Sequence, residues 1–332
     1  MIRCPGCFKE QENTYCKACR KRLFDGKKLS FVLPFSRPDY DKVKLQVTPD
    51  RMSISGIQTK ISLVLNEGRL EMVKSGGEYI LKPKPNGAFQ RLEATPINEH
   101  LTMQIASQVF EIKVADNALV QFEDGELAYL VRRFDVLPEG KRSLQEDFAQ
   151  IAARSEETHG KNYKYDCSYE EIGELIQKYV ATYKVDLERF FKLIIFNYLV
   201  NNGDAHMKNF SLIRRELTGE YNLSPAYDLL NTRLHVPEEA RTALELFKDG
   251  FETESYKANA YYAYDDFVMF AQKLGLIEKR YKRILETFVT KQEAVLSLIE
   301  CSMLSKDCKQ LYRECVEERV RAISYSFSEQ RH

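Results

Sequence analysis

The spacing of apolar residues changes near the middle of the chain. Short alternating runs come first: Ile61 to Leu65, Glu78 to Pro83, Asn117 to Phe122 and Leu127 to Phe134. A period of two marks half-buried strands, and Asp124-Gly125 between the last two runs is a hairpin signal. Val43 to Val47 alternates too and predicts another strand. Ile97, Leu101, Ile105 and Val109 fall four apart, which puts one apolar face on a helix over about residues 97–110. Beyond residue 136 the pattern is mostly helical. Helices are predicted over about 169–183, 187–201, 264–273, 279–300 and 306–324, and another is expected to open at Gln145-Glu146-Asp147. Phe190 to Val200 is nearly all apolar and predicts a buried helix, whereas Phe210 to Ile213 predicts a short strand. A strand-rich half followed by a helix-rich half predicts an α+β chain of two lobes with a cleft between them.

One polar stretch interrupts this pattern. Asn201-Asn202-Gly203-Asp204-Ala205-His206-Met207-Lys208-Asn209 lies between the buried helix and the short strand. Asp204 and Asn209 are five residues apart on a loop. Phosphotransferases use such a pair: the Asp accepts the proton of an attacking hydroxyl, and the Asn reaches a phosphate-bound magnesium. Asp228, in Ser224-Pro225-Ala226-Tyr227-Asp228, is placed to be the second magnesium ligand. Lys82 ends a predicted strand, as a phosphate-binding lysine does, and Glu99 on the following helix is a candidate partner. The small-residue stretch from Ser55 through Gly56, Ile57, Gln58 and Thr59 to Lys60 can fold over phosphates through its N–H groups. Arg132, Arg133 and Phe134 stand where the small lobe hands over to the large one, so their backbone is placed to meet adenine.

Cysteines add a second site. Cys4-Pro5-Gly6-Cys7 and Cys16-Lys17-Ala18-Cys19 are two Cys-x-x-Cys turns eight residues apart. Together they make a four-thiolate tetrahedral site, closed and therefore structural, with zinc as the expected ion and rubredoxin-like iron as the rival. Cys301, Cys308 and Cys315 recur every seven residues. At about 10 Å per heptad along a helix they are too far apart for one metal and read as packing residues. The expected divisions are a zinc-knuckle cap over 1–24, a linker over 25–42, a small lobe over 43–135 and a large lobe over 136–332.

Composition narrows the partners. Lys+Arg and Asp+Glu number 49 each among 332 residues. Balanced charge argues against coating nucleic acid by charge alone. No apolar run approaches a membrane span, and charges and cysteines occupy the N-terminal segment, so a cytoplasmic chain is expected. Trp is absent, and 19 Tyr with 19 Phe supply the large core rings.

In order, these motifs resemble the HipA family of bacterial toxin Ser/Thr kinases. Arg51, Ser53, Gly56, Gln58 and Lys60 match the signature Arg-x-Ser-x-x-Gly-x-Gln-x-Lys around that family's autophosphorylated serine. Lys82 matches its phosphate lysine, Arg132 to Asp135 its hinge, and Gln145 to Asp147 its Gln-Glu-Asp helix start. Asp204, His206, Lys208 and Asn209 match its catalytic Asp-x-His-x-Lys-Asn, with Met207 between them, and Tyr227-Asp228 its second metal motif. Arg132 stands where the family usually has an acid. The resemblance implies a two-lobed protein-kinase-like fold, ATP and Mg2+ as cofactors, and autophosphorylation at Ser53 or Ser55. It also implies a HipB-like DNA-binding antitoxin as partner, DNA contact only through that partner, and a translation factor such as an aminoacyl-tRNA synthetase as substrate. About 50 residues precede the serine loop, as in short forms for which a separate small protein supplies the N-terminal subdomain. Two other readings stay open: a small-molecule kinase, and a catalytically silent subunit of a DNA-bound repressor complex.

Overall fold

The computed structural model describes residues 2–12, 14–44, 60–137 and 140–328. The expected serine loop, with Ser53, Ser55, Gly56, Ile57, Gln58 and Thr59, lies outside them. The N-terminal segment holds strands β1 (Ile2–Arg3) and β2 (Glu10–Gln11), then helices α1 (Lys17–Phe24) and α2 (Arg37–Lys44). Next come β3 (Ile61–Asn66), β4 (Arg69–Val73), β5 (Tyr79–Pro83), helix α3 (Thr95–Gln108), β6 (Asn117–Gln121) and β7 (Leu127–Arg132). The five strands β3 to β7 form one antiparallel sheet in the order β4-β3-β5-β7-β6.

The two faces of this sheet belong to different cores. Tyr79 and Leu81 of β5, with Ala128 and Leu130 of β7, pack beneath Tyr15, Leu23, Phe24, Leu33, Phe35 and Tyr40. Leu119 and Tyr129 turn to the opposite face and join α3 in the main core. The pleat thus aims Lys82, one residue from Leu81, at the helix side.

Three expectations fail in this region. Residues 25–42 are no linker: Leu33, Phe35 and Tyr40 are buried on the sheet, and Val32 bridges Gln121 in parallel. That strip covers the open edge of β6 and shields its backbone groups from pairing with another chain. Val43-Lys44 ends helix α2 rather than starting a strand. Helix α3 is buried on nearly its whole circumference, not on one face, because sheet, N-terminal segment and large lobe all pack on it. Its polar residues are hydrogen-bonded accordingly, as in Asn98 to Asn231 C=O and His100 to Asn117.

The second half supplies β8 (Gln145–Asp147), α4 (Tyr169–Tyr179), α5 (Tyr183–Leu199), β9 (Ser211–Arg214) and β10 (Tyr221–Leu223). It closes with α6 (Tyr264–Lys273), α7 (Glu278–Thr290), α8 (Gln292–Cys301) and α9 (Lys306–Ser324). Strands β8 to β10 form an antiparallel sheet in the order β10-β9-β8. Gln145 to Asp147 is therefore a strand, and only at Asp147 does a helical turn begin, N-capped by its carboxylate with Gln150 reaching back. The helix expected over 279–300 is two, broken at Lys291. Cys301 ends α8, whereas Cys308 and Cys315 are buried on α9, so the cysteines share no single helix. No helix among the described residues is long and apolar enough to cross a membrane.

Candidate active site

Between sheet and helices opens a cleft with two compartments. The larger, about 620 Å³, is lined by Lys60, Arg133, Lys164, His206, Asn209 and Asp228, among others. The smaller, about 200 Å³, has an apolar wall of Ile80, Ala115, Val131 and Phe134. Phe134 and Tyr227 face each other at 5.8 Å. A polar chamber beside an apolar slot suits a ligand with a charged end and a flat ring.

Three distant segments put one ion-paired group at the cleft floor. Lys82 Nζ lies 2.5 Å from Glu99 Oε1 and also pairs with Asp228 Oδ1. Lys60 Nζ lies 3.7 Å from Asp228 Oδ2. Burial alone raises the Asp228 carboxyl, but Lys60 and Lys82 outweigh it and hold the group below the usual carboxylate range. Burial also lowers the Lys82 ammonium, and Asp228 and Glu99 more than offset it, so the group is charged. Burial raises the Glu99 carboxyl, partly countered by Lys82. Asp228 has φ 55°, a left-handed backbone that Asp and Asn tolerate better than other side chains and that recurs at functional sites.

The polar loop follows α5 directly. Asp204 is buried, and Tyr165 Oη donates to its Oδ1 at 2.7 Å. His206 Nε2 lies 3.8 Å from the same oxygen. Burial, then Lys164, pushes the His206 imidazole down to about 3, so it is neutral at pH 7. Asn209 Oδ1 accepts from His206 N–H at 3.1 Å, which uses one of its two lone pairs and leaves the other for a hard cation. A carboxylate kept ionised at Asp228 and an amide oxygen at Asn209 fit magnesium's preference for oxygen ligands.

Not every expected residue reaches the cleft. Met207 is buried in the main core instead. Arg132 lines the smaller compartment, but its guanidinium turns away to Asp25 and Arg22 C=O. Its N–H and that of Arg133 are taken by Asp116 and Glu78 carbonyls, so neither amide is available to a ring in the slot. Lys208 does line the larger compartment, exposed and 3.3 Å from Tyr163 Oη.

Other residues enter only through tertiary contacts. Besides Tyr165 and Lys164 there is Glu239, pushed up to about 7 by burial, with the Thr232 hydrogen bond opposing and the Asp204 charge adding. Arg319 of α9 donates twice to Asn201 Oδ1, and Thr232 Oγ1 accepts from Gly203 N–H. These hold the loop from behind. Gly203 has no room for a side chain, since a Cβ would sit 2.6 Å from Ala240 O and 2.7 Å from Glu239 Cγ. Gly203→Ala is therefore expected to cost about 1–3 kcal/mol of stability through overpacking. Urea unfolding of the two proteins checks this, and an unchanged midpoint would mean the wall opposite Gly203 yields freely.

The N-terminal cysteines also converge. The sulfurs of Cys4, Cys7, Cys16 and Cys19 all lie within 4.8 Å of one another, and Cys7 Sγ to Cys16 Sγ is 3.7 Å. A tetrahedron with metal–sulfur bonds of about 2.3 Å has edges of about 3.8 Å. Backbone N–H groups of Cys16 and Cys19 point at the Cys4 and Cys16 sulfurs, the kind of outer support that thiolate ligands use. The donor set therefore fits a tetrahedral ion.

Comparison with known proteins places this geometry. Residues 52–296 match the HipA-like C-terminal domain family. A Haemophilus influenzae protein named "Putative kinase" is 32% identical over 276 residues, 76% of each chain. The serine/threonine-protein kinase toxin HipA of Shewanella oneidensis is 26% identical over 246 residues, which are 68% of this chain and 52% of that protein. This chain thus spans about half the length of that toxin. Among solved structures, the complex of Shewanella oneidensis HipA with HipB and its operator DNA aligns with a TM-score of 0.63 at 20% identity, over 88% of this chain and 71% of that one. The Helicobacter pylori proinflammatory kinase CtkA aligns at 0.53 and 14% identity, over 79% and 93%. Both likenesses speak to fold. The family match spans Lys82, Glu99, Asp204, Asn209 and Asp228, and the chain belongs to the HipA-like C-terminal domain family.

Proposed function

We propose that this protein is an ATP-dependent Ser/Thr protein kinase. The observation that carries the proposal is the convergence of Lys82, Glu99 and Asp228 at the floor of the cleft that the Asp204–Asn209 loop enters. Lys82, fixed by Glu99, holds phosphate oxygens of the nucleotide. The apolar slot beside Phe134 takes the adenine ring. Asp228 and Asn209 hold magnesium, which when bound offsets charge on the transferring phosphoryl group. Asp204, oriented by Tyr165, takes the proton of the attacking serine hydroxyl. Lys60 approaches Asp228 in this structure and follows in sequence the stretch that holds Ser53 and Ser55.

Family membership supports the biological setting: a toxin of a toxin–antitoxin pair in the cytoplasm, held by a HipB-like DNA-binding antitoxin. A separate small protein in place of an N-terminal subdomain, and an aminoacyl-tRNA synthetase as substrate, belong to the same proposal. The four N-terminal cysteines hold a structural zinc ion.

Autophosphorylation tests the enzymatic claim. Purified protein with Mg-ATP is expected to gain phosphate at Ser53 or Ser55, mapped by mass spectrometry. A phosphate there adds about −1.5 to −2 charges and is expected to weaken ATP binding. Mg-ATP binding with no phosphoserine would favour a small-molecule kinase, and no nucleotide binding at all would leave a silent subunit.

A further inference from the structure

The N-terminal knuckle is built onto the helix that carries Glu99. Cys7 C=O accepts from Gln108 Nε2 at 3.1 Å. The Phe8 ring stands edge-on to the His100 ring at 5.1 Å. Gln108 and His100 both lie on α3, and His100 follows Glu99 directly. On β6, Leu119 N–H donates to Pro5 C=O, and Tyr15 Oη donates to Leu119 C=O at 2.6 Å. His100 and Gln104 then meet on Asn117 Oδ1, which locks α3 to β6. The knuckle residues that touch α3 are therefore Cys7, which closes a Cys-x-x-Cys turn, and the residue after it.

That turn is tight. Phe8 has φ 62°, a left-handed backbone unusual for an aromatic residue. Both Cys7 N–H and Phe8 N–H reach back to Cys4 C=O. A Cβ on Gly6 would lie 2.9 Å from Cys19 Sγ, so the backbone is pressed against the sulfur cluster. Four sulfurs gathered this closely fit a shared ion, whose bonds would add to the packing of Tyr15, Leu23 and Phe24 on the sheet.

We propose that a zinc ion on Cys4, Cys7, Cys16 and Cys19 is energetically coupled to the nucleotide site through α3. With the ion bound, Phe8 and Cys7 C=O fix α3 and so fix Glu99 against Lys82. Without it, the turn relaxes, α3 loses two of its outer contacts, and Lys82 is held less well for phosphate. Coupling is reciprocal, so nucleotide binding must tighten zinc by the same factor. The inference rests on the kinase reading for its nucleotide half only; the link from knuckle to α3 stands without it.

The test uses the full chain loaded with zinc, the same protein stripped by a chelator and returned to magnesium, and a Phe8→Ala/Gln108→Ala variant that keeps all four cysteines. Calorimetry with Mg-AMPPNP reads nucleotide affinity. Competition with a chromophoric chelator reads zinc affinity with and without Mg-AMPPNP. Hydrogen exchange reads the α3 amides. Zinc loss is expected to weaken AMPPNP about fivefold or more, at the lower end of typical coupling, with an equal change in zinc affinity when AMPPNP is added. Amides of α3 should exchange faster in the stripped protein. The double variant should still bind one zinc yet bind AMPPNP more weakly, even if stripped protein fails to fold. Equal AMPPNP affinity in zinc-loaded wild type and the double variant, with equal α3 exchange, overturns the coupling. Absence of stoichiometric zinc overturns the metal assignment. If wild type binds no AMPPNP, the kinase reading fails, and α3 exchange alone then decides the link.

Discussion

Asp204→Asn is expected to slow phosphoryl transfer about 100- to 10,000-fold, the range for losing a positioned general base, while Mg-ATP affinity changes by less than about twofold. The separation follows from geometry. Asp204 takes its hydrogen bond from Tyr165, whereas Lys82, the lysine proposed to meet phosphate, and Lys60 gather on Asp228 and Glu99. Asn keeps the shape of Asp and can still accept from Tyr165, so the loop stays in place. What disappears is the capacity to take a proton. Single-turnover transfer from labelled ATP gives the rate, and calorimetry gives the affinity. Near-normal transfer by the Asn variant would show that another group is the base. Loss of ATP binding in step with transfer would show that Asp204 serves the nucleotide instead.

What the sequence discloses, and what it hides, follows one physical division. Residues whose role is written in local spacing were accessible: the alternation of β3, β5, β6 and β7, the unbroken apolar run of α5, and the paired Cys-x-x-Cys turns. Lys82 was legible at the end of its strand, whereas nothing local sets Glu99 apart from a solvated helix carboxylate, and only the fold pairs the two. Helix α3 shows the limit. Its spacing predicts one apolar face, yet Asn98, Glu99, His100, Thr102 and Gln104 are also buried. Each finds at least one partner from elsewhere, although His100 Nε2 has none, so only the assembled fold makes their burial tolerable. Residues 25–42 misled for a related reason. Gly, Ser, Pro and mixed charge read as a spacer, although Leu29, Phe31, Leu33 and Phe35 alternate, and that alternation covers the sheet. Lys164, Tyr165, Glu239 and Arg319 carry no local signal at all. They reach the loop from separate parts of the large lobe, and nothing in their neighbours announces the contact.

Lys82→Met is expected to do more damage than a lost ligand, because Lys82 neutralises two buried carboxylates. Removing one partner of a buried ion pair costs about 3–5 kcal/mol, mostly from the charge left behind. Here Glu99 and Asp228 would remain facing each other, with Lys60 Nζ 3.7 Å from Asp228 Oδ2. Met fills similar space, so the loss is electrostatic rather than a cavity. The pH dependence tests that cause. In wild type the Asp228 carboxyl is held down, so its contribution to stability is complete above the unfolded value of about 3.9 and fades as pH falls through the folded one. Without Lys82 both carboxyls move up. The penalty is then full at pH 8 and shrinks toward pH 5, as protonation removes the surplus charge. Urea unfolding across that range should show the gap between the proteins narrowing as pH drops. Adding Glu99→Gln should recover much of the stability but none of the Mg-ATP affinity, because the phosphate-binding cation is still missing. A gap that stays constant with pH, or a double variant no more stable than the single one, would mean that Lys82 acts by packing and not by charge.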